Sequence, residues 1–462
     1  MYRLHTLTAL TLVLAGLSGP AASAEESPTS GVIQRAPVAE GAVQIPAAVT
    51  PAVPAMPQVA AEAPARTAAE IEMDRLRQEV MRLRAEKSEL QEKLDDVQKE
   101  AAMSAGENLG SPLELEFLQM LADSATGYNG SNPAWAPNSH HLGFERSEEK
   151  NKELIIADNQ GQTLKNISYK NDDDDLGLAL LLPGIADTTT YNAAMSWGND
   201  SRRFIFMSNG SEGNYDIFLG GMDQAQLERL TTHHEKDGQA HWAPTSDDVL
   251  FISGRTGSAQ VYLMNLLDRK PVQLTKGTKV YLYPVWSPNG RDALVTYGSN
   301  ENHDVILMPD VKSRTGSQIP LTKWRYDDLR PMWSPDGKKL AFYSNYNEEN
   351  DPKQWAIVVL DVEQAKSSTL EDLSEFVVAT NVIPDIERGP AWMPDSKRIV
   401  YVKNHRKEYN PIYLADITTG LSHWVKTNTR INHDIAASTN GLIAFRSQVD
   451  QWDRIFIAKI KE

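Results

Sequence analysis

The chain has no cysteine among its 462 residues. This excludes disulfide bridges, thiol nucleophiles, cysteine-ligated zinc and a lipid-bearing cysteine, and it suits an oxidising compartment. Basic residues are also scarce, since 46 Lys and Arg stand against 62 Asp and Glu, for a net charge of −16. No cluster of Lys and Arg appears in the sequence. Nucleic acid is therefore not an expected partner.

The first 24 residues have the pattern of a secretory signal peptide. Arg3 precedes an apolar core at Leu7–Leu17, and the small residues Ala22–Ala24 follow it. This core is too short to span a bilayer. We therefore expect an exported, periplasmic protein whose mature chain begins near Glu25 and has no transmembrane segment.

Residues 25–66 are dominated by Ala, Pro and Val and contain no aromatic residue. A segment of this composition buries too little apolar surface to fold and prefers extended conformations. It is predicted to be a disordered linker.

Residues 67–105 show an apolar heptad pattern that predicts an α-helical coiled coil. Leu at most of the d positions favours two strands, although a homotrimer stays open and a single solvated helix is the alternative. The predicted oligomerisation residues at the a and d positions are Met73, Leu76, Val80, Leu83, Lys87, Leu90, Leu94 and Val97.

A repeated phrase dominates residues 113–462. Its tryptophans are spaced by 62, 45, 44, 47 and 59 residues, and they are Trp135, Trp197, Trp242, Trp286, Trp333 and Trp392. In "WSPDGKKLAFYS", Pro335, Asp336 and Gly337 predict a tight turn, and the consecutive apolar residues predict a strand that is covered on both sides. A period near 45 with about four short strands is typical of a β-propeller blade.

The ends of the repeat region predict how the ring closes. Ala437–Ser447 forms a seventh unit without tryptophan, and Arg454–Ile460 is its third strand, after which the chain is one strand short. Leu113–Leu121 is the candidate for the missing outer strand, which would leave no open edge in the ring. The fold class is therefore all-β, a seven-bladed propeller, with six blades as the alternative.

These repeats resemble those of the TolB-like β-propellers, periplasmic proteins of the Tol-Pal envelope system and their relatives. The resemblance rests on "WSPDGKKLAF", a following "DI-aromatic" strand and a closing "LT". It implies an envelope protein as partner, for example a peptidoglycan-associated lipoprotein or a secretion or motility machinery. A small α/β domain precedes the propeller of TolB itself, whereas a linker and a coiled coil stand in that place here.

Motifs for catalysis are weak in this sequence. "HEKDGQAH" (His234–His241) has Gly238 where a zinc protease needs histidine, and no G-x-S-x-G nucleophile elbow occurs. "NDDDDLG" (Asn171–Gly177) suggests a calcium loop, but a solvated acidic loop explains it better because Leu176 stands at a ligand position. The apolar insertion Asp175–Tyr191 predicts either a partner contact or a segment packed over the first blade.

Residues just before each inner strand are expected to surround one mouth of the central channel, where a partner would bind. The candidates are His233, His234, Asp237, His241, Tyr281, Tyr283, Asp327, Asp328, Arg330, Glu387, Arg388, His433 and Asp434. We expect a non-enzymatic interaction scaffold of the cell envelope without a cofactor. The alternative is a metal-dependent lyase or hydrolase that acts on glycans or peptides, with a transition metal held by the His and Asp residues.

Overall fold

A computed structural model describes the chain in segments. The described residues are 73, 75–84, 86–87, 108–121, 127–148, 151–167, 191–210, 214–224, 226–299, 302–323, 326–346, 354–367, 373–405 and 409–461. The predicted signal peptide, the Ala/Pro-rich linker and the acidic loop lie outside these residues. Of the apolar insertion, only Tyr191 is described.

Residues 73, 75–84 and 86–87 are helical. The heptad side chains of Met73, Leu76, Val80 and Leu83 are between 46% and 54% exposed, and Lys87 is exposed too. Leu90, Leu94 and Val97 lie outside the described residues, so the coiled coil stays a prediction. In the described part of the chain, no helix is both long and apolar enough to cross a membrane.

The propeller has seven antiparallel sheets of four strands each. Strand β1 spans Leu115–Met120. Blade one contains β2 (Asn129–Trp135), β3 (His141–Glu148), β4 (Asn151–Asp158) and β5 (Thr163–Asn166); blade two contains β6 (Asn192–Trp197), β7 (Arg203–Ser208), β8 (Asp216–Gly221) and β9 (Glu228–Arg229); blade three contains β10 (Asp237–Trp242), β11 (Asp248–Ser253), β12 (Gln260–Asn265) and β13 (Val272–Gln273).

The remaining blades continue in chain order. Blade four contains β14 (Val280–Trp286), β15 (Ala293–Ser299), β16 (Asn302–Met308) and β17 (Ile319–Pro320); blade five contains β18 (Asp328–Trp333), β19 (Lys339–Ser344), β20 (Trp355–Asp361) and β21 (Val377–Val382); blade six contains β22 (Ala391–Trp392), β23 (Arg398–Val402), β24 (Ile412–Asp416) and β25 (Leu421–Val425); blade seven contains β26 (Asn432–Ala437), β27 (Leu442–Val449) and β28 (Trp452–Ile460). Helix α1 (Val362–Ser367) and two 3₁₀ turns, Val311–Ser313 and Ser374–Phe376, lie between strands.

Strand β1 completes blade seven, as the sequence predicted. It pairs antiparallel with β28, with Leu115 opposite Ile460 and Met120 opposite Phe456. The seven-bladed ring is thereby confirmed and the six-bladed alternative is wrong. The segment before β1 also joins blade six, because Leu113 N–H donates to Trp424 O at 2.8 Å in a parallel bridge to β25.

The core consists of seven apolar clusters, one between each pair of neighbouring blades. Each blade thus has an apolar layer on both of its faces, which explains the consecutive apolar residues in the strands. Three of the six repeat tryptophans, Trp197, Trp333 and Trp392, donate a hydrogen bond to the preceding blade. Trp197 Nε1–H donates to Ala134 O at 2.9 Å, and Trp333 Nε1–H donates to Val285 O at 3.3 Å.

The two other repeat signals have local structural roles. Asp336 Oδ1 accepts the Lys338 N–H at 3.0 Å and Gly337 takes a φ of 71°, which no β-branched residue tolerates well. The threonines of the "LT" phrase are buried and accept the N–H of the neighbouring strand, as in Thr275 Oγ1 with Val261 N–H at 2.9 Å. These motifs therefore stabilise the blade and do not themselves indicate a binding function.

Candidate functional site: the central channel

The inner strands of the seven blades line a central channel, and one residue with left-handed backbone lies in each inner strand or, in blade six, just before it. These residues lie three positions before the tryptophan, or before Ala437 in blade seven, and all have φ between 48° and 84°. They are Asn132, Ala194, Gln239, Tyr283, Arg330, Gly389 and Asp434. In six blades the strand register shifts at this point. Such a β-bulge interrupts the ladder and redirects side chains.

The bulges leave N–H groups that the strand ladder does not satisfy, and side chains of the preceding blade accept them. Tyr283 N–H donates to Gln239 Oε1 at 2.8 Å, and Ala194 N–H donates to Glu145 Oε1 at 3.0 Å. Arg330 N–H likewise donates to Thr296 Oγ1 at 3.2 Å. The channel wall is therefore joined from blade to blade by polar contacts as well as by the apolar clusters.

A cavity of about 570 Å³ occupies the channel, a size typical of ligand sites. Its wall is built largely from small, apolar and aromatic residues of the inner strands. Five of the predicted mouth residues lie on this cavity: His241, Tyr283, Arg330, Glu387 and Arg388. The structure thus brings these five residues to one cavity, and their role in binding a partner stays a prediction.

Blade six departs from the repeat at the channel. Its inner strand β22 has only two residues, because the preceding segment Asp385–Gly389 folds into a turn. Asp385 Oδ1 accepts the N–H groups of Glu387 and Arg388 at 3.0 and 2.9 Å, and Asp385 O accepts the Gly389 N–H at 2.8 Å. This turn brings Glu387 and Arg388 to the cavity.

Two arginines join this turn to the rest of the ring. Arg388 crosses the channel, donating from Nη2 to Asn132 O at 2.8 Å in blade one and from Nη1 to Met195 O at 3.0 Å at blade two. Arg330 of blade five donates from Nε to Ile386 O at 3.0 Å and from Nη2 to Glu387 O. Both guanidinium groups are thus bound by backbone carbonyls.

The Glu387 carboxylate differs from the arginines, because it makes no hydrogen bond with any residue that the structure describes. Its side chain keeps an accessible surface on the cavity. Enclosure by the protein and the nearby Glu145 carboxylate raise the pKa of Glu387, although Arg330 acts against them. Glu387 is therefore the acceptor in the cavity wall that is open to a ligand.

His241 is neutral at physiological pH. Burial, together with the charges of Arg330 and Arg388, lowers the pKa of His241 to about 4. Its Nδ1 accepts the Trp286 N–H at 3.5 Å, which leaves Nε2–H as the donor of the neutral ring. Burial also raises the pKa of Tyr283, so this phenol stays protonated.

The other predicted mouth residues lie elsewhere. Tyr281, Asp237 and Asp328 are buried between blades, with Asp237 Oδ2 paired to Arg255 Nη2 at 2.9 Å. Asp327 is bonded to His303 at 2.8 Å, and Asp434 is paired to Arg446 at 2.8 Å. His233 and His234 stack on each other outside the cavity, and His433 lies opposite Arg446 on the neighbouring strand.

The His and Asp residues that the alternative enzyme hypothesis assigned to a metal site are not brought together in the described part of the chain. Within the described ranges, no group of three His, Asp or Glu side chains is placed to hold a metal ion. His233 and His234 are adjacent in the chain, while His433 belongs to blade seven.

Sequence reasoning missed a buried polar cluster beside the channel. Lys152 Nζ pairs with Glu145 Oε2 at 2.6 Å and lies 4.4 Å from the centre of the Tyr191 ring. Glu145 also accepts the Asn132 side-chain amide at 2.8 Å. Glu145 and Lys152 lie within strands β3 and β4, whereas the predicted mouth residues all lie in an inner strand or just before it. Asn132 and Gln239 stand three positions before a repeat tryptophan, and this spacing is the sequence signal that marks them.

Residues 183–359 match the family model described as "TolB beta propeller domain". The chain has a TolB-like β-propeller. The matched residues reach from blade two into blade five, and the remaining blades carry the same repeat pattern. No curated protein matches the sequence.

Solved structures share the fold of this TolB-like propeller at low sequence identity. An oligogalacturonate lyase in complex with manganese has a TM-score of 0.52 and 12% identity over 77% of this chain and 98% of its own. A puromycin-hydrolysing peptidase of Mycobacterium tuberculosis has a TM-score of 0.51 and 11% identity over 76% of this chain, which spans about half (55%) of the peptidase. TolB from Acinetobacter baumannii has a TM-score of 0.42 and 14% identity, with coverages of 74% and 67%.

Proposed function

We propose that this protein is an exported, non-enzymatic interaction scaffold of a bacterial cell envelope, located in the periplasm. Its propeller docks a protein partner at the channel, and its helical segment pairs two or three copies. The signal-peptide pattern supports export, and the TolB-like repeat supports an envelope role. Pairing would raise the effective concentration of the second propeller at a multivalent target.

The cavity in the channel is the main observation that supports a docking role. It is lined by all seven blades, and the exposed carboxylate of Glu387 lies on it without a hydrogen-bond donor among the described residues. A partner's N–H or O–H group that enters the cavity can donate to this carboxylate, and exclusion of water around the new hydrogen bond favours binding.

Replacing Glu387 by Gln tests this docking role. The Glu387→Gln side chain keeps its size and disturbs no hydrogen bond between described side chains, so the fold should be unaffected. Losing a charge-assisted hydrogen bond of about 2 kcal/mol should weaken partner binding roughly 30-fold. The measurement is capture of envelope proteins from a detergent extract, followed by titration of the captured partner.

Glu363→Gln is the matched control. Glu363 is 82% exposed on helix α1, away from the channel, and pairs with Lys366. The proposal requires the control to capture as the wild type does. Equal capture by Glu387→Gln and the wild type would show that the partner does not use the cavity.

The absence of a resident metal is a separate expectation of the scaffold function. Purified protein that has not been exposed to chelators should contain well under one equivalent of any transition metal by plasma mass spectrometry. A stoichiometric metal that disappears when His233, His234 and His433 are changed to Ala would instead favour the metal-dependent lyase or hydrolase.

A further inference from the structure

The turn Asp385–Gly389 stands in the channel where the other six blades continue as strands. At Gly389, an added Cβ would approach the Met332 side chain to 2.6 Å and Arg330 O to 3.0 Å, so the turn packs tightly against blade five. From this position Arg388 reaches past blade seven to blades one and two. The turn therefore lies on the blade-six side of the channel, and the Arg388 side chain spans the channel to blades one and two.

Polar contacts hold the turn in place. Arg388 donates to two carbonyl oxygens and Arg330 to two more, and Asp385 bonds the N–H groups of the turn itself. Neither Arg330 nor Arg388 forms an ion pair with a carboxylate of the described chain. Replacing such a hydrogen bond by one to water or to another donor costs little free energy. Separating two apolar blade faces would cost much more.

The two carbonyl oxygens that accept hydrogen bonds from Arg388 indicate that a ligand replacing it must be a hydrogen-bond donor. Asn132 O and Met195 O belong to the bulged stretches of β2 and β6, where the strand ladder is interrupted. Together with the Glu387 carboxylate they form a set of acceptors at the cavity. An extended polypeptide presents backbone N–H donors along its length, and this chemistry suits such a set.

We propose that Asp385–Gly389 is a displaceable plug, and that an extended segment of the docked partner takes the place of Arg388 at Asn132 O and Met195 O. The plug deepens the proposed docking function by regulating access to the same channel. Its closed state is a property of the free protein, so it is testable without a partner.

The plug's stability should depend on pH through Asp385. Burial and the neighbouring Asp434 raise the pKa of Asp385 to about 7, against the charges of Arg388 and Arg330. Tyr343 on β19 and Arg446 on β27 also face this carboxyl group. In an opened turn Asp385 would be solvated, with a pKa near its usual 3.8. Closing therefore binds a proton, and the closed state is favoured below pH 7 and weakened as pH rises through 7.

Hydrogen exchange of the full mature protein, read by mass spectrometry on peptides covering residues 384–390, tests the plug. The N–H groups of Glu387, Arg388 and Gly389 should be protected in the wild type, and Arg388→Ala should reduce this protection at least tenfold. Relative to the intrinsic rates of an unstructured peptide, protection in the wild type should fall about tenfold between pH 6 and pH 8, because one group with a pKa near 7 is linked to closing.

The controls separate plug opening from general destabilisation. Arg202→Ala removes an exposed arginine whose partner is Asp223, and it should leave residues 384–390 protected. Peptides from β19 report on the blade itself and should exchange equally in all variants. If Arg388→Ala also increases exchange in β19, the test is repeated with Arg388→Lys. This milder variant keeps the charge but cannot bind both carbonyl oxygens at once.

Hydrogen exchange and partner capture together distinguish failure of the plug from failure of the docking site. Unprotected amides at 387–389 in the wild type, or unchanged protection in both Arg388 variants, would overturn the plug while leaving the docking proposal in place. Loss of partner capture by Glu387→Gln with a plug that behaves as expected supports both. A plug that opens as expected while Glu387→Gln captures normally supports the plug and removes the docking site.

Discussion

A chain that begins at residue 127, without β1, is expected to lose the folded propeller. β1 is the fourth strand of blade seven, and its flanking leucines contribute to two of the apolar clusters between blades: Leu113 and Leu115 to the cluster of blades six and seven, and Leu121 to the cluster of blades seven and one. Full burial of a leucine is worth about 2 kcal/mol; Leu121 is buried and Leu113 and Leu115 are partly buried, so the three together represent roughly 4 kcal/mol. With the lost β1–β28 strand pairing added, this is a large part of the free energy of unfolding of a typical domain.

Urea denaturation followed by tryptophan fluorescence measures the effect. The control chain begins at residue 105, keeps β1 and should unfold in one cooperative transition. The chain from residue 127 should show no folded baseline or a midpoint shifted by several molar units of urea, given a slope of about 1–3 kcal/mol per molar. Equal midpoints would mean that β1 does not close the ring.

A circularly permuted chain, in which β1 follows β28, tests ring closure by restoring the missing strand. Leu115 lies opposite Ile460, and Lys461 N–H donates to Glu114 O at 2.9 Å, so the end of β28 and the start of β1 are neighbours. Joining residues 113–121 to the C-terminus of the shortened chain through a short hairpin loop should therefore restore folding. Failure of the permuted chain to fold would show that residues before 113 are needed as well.

Replacing Asp328 by Asn is expected to stabilise the protein progressively as pH rises. Asp328 is completely buried and forms no ion pair in the described part of the chain, with only the hydroxyl groups of Ser344 and Thr322 close enough to favour its charged form. Burial, reinforced by Asp304 and Asp327, raises the pKa of Asp328 from 3.8 to about 8. The folded state therefore holds a proton that the unfolded state releases.

The direction of this pH effect follows from the number of protons bound by the folded and unfolded states. Between pH 4 and pH 8 the folded state binds one proton more at this site, so the free energy of unfolding falls by about 1.4 kcal/mol per pH unit. Asn does not titrate and removes this slope. Asp328→Asn should match the wild type near pH 4 and exceed it by on the order of 5 kcal/mol at pH 8. Urea denaturation at four pH values between 5 and 8 measures the difference.

Asp237→Asn is a matched control with the opposite sign. Asp237 occupies the same repeat position in blade three, five residues before the tryptophan, but it forms a buried ion pair with Arg255 at 2.9 Å. Removing its charge leaves the guanidinium without a carboxylate, although Arg255 Nε still donates to Ser253 Oγ at 2.8 Å, and should cost about 3 kcal/mol. A pH slope that persists in Asp328→Asn would assign the proton to another group.

The contrast between Asp237 and Asp328 shows the limit of prediction for the site. Both residues precede an inner strand, and the sequence pattern assigned both to the channel mouth. The bulges set which of the neighbouring positions faces the channel, and the unequal packing of each blade decides whether a carboxyl group finds an arginine. Glu387 and Arg388 were predicted at the channel and lie on its cavity, yet the turn that presents them depends on Asp385, which the pattern did not single out.

Much of the fold could be predicted from local order along the chain. The spacing of the tryptophans determined the blade repeat, the turn residues determined the start of each second strand, and the missing strand after Ile460 implied closure by Leu113–Leu121. These features depend on the sequence period and on the need to pair the edge of each sheet, both of which can be recognised from the sequence alone. Only the tertiary structure decided what the channel contains, because seven segments distant in sequence meet there. Their charges and unsatisfied backbone groups determine one another's partners only once the ring has closed.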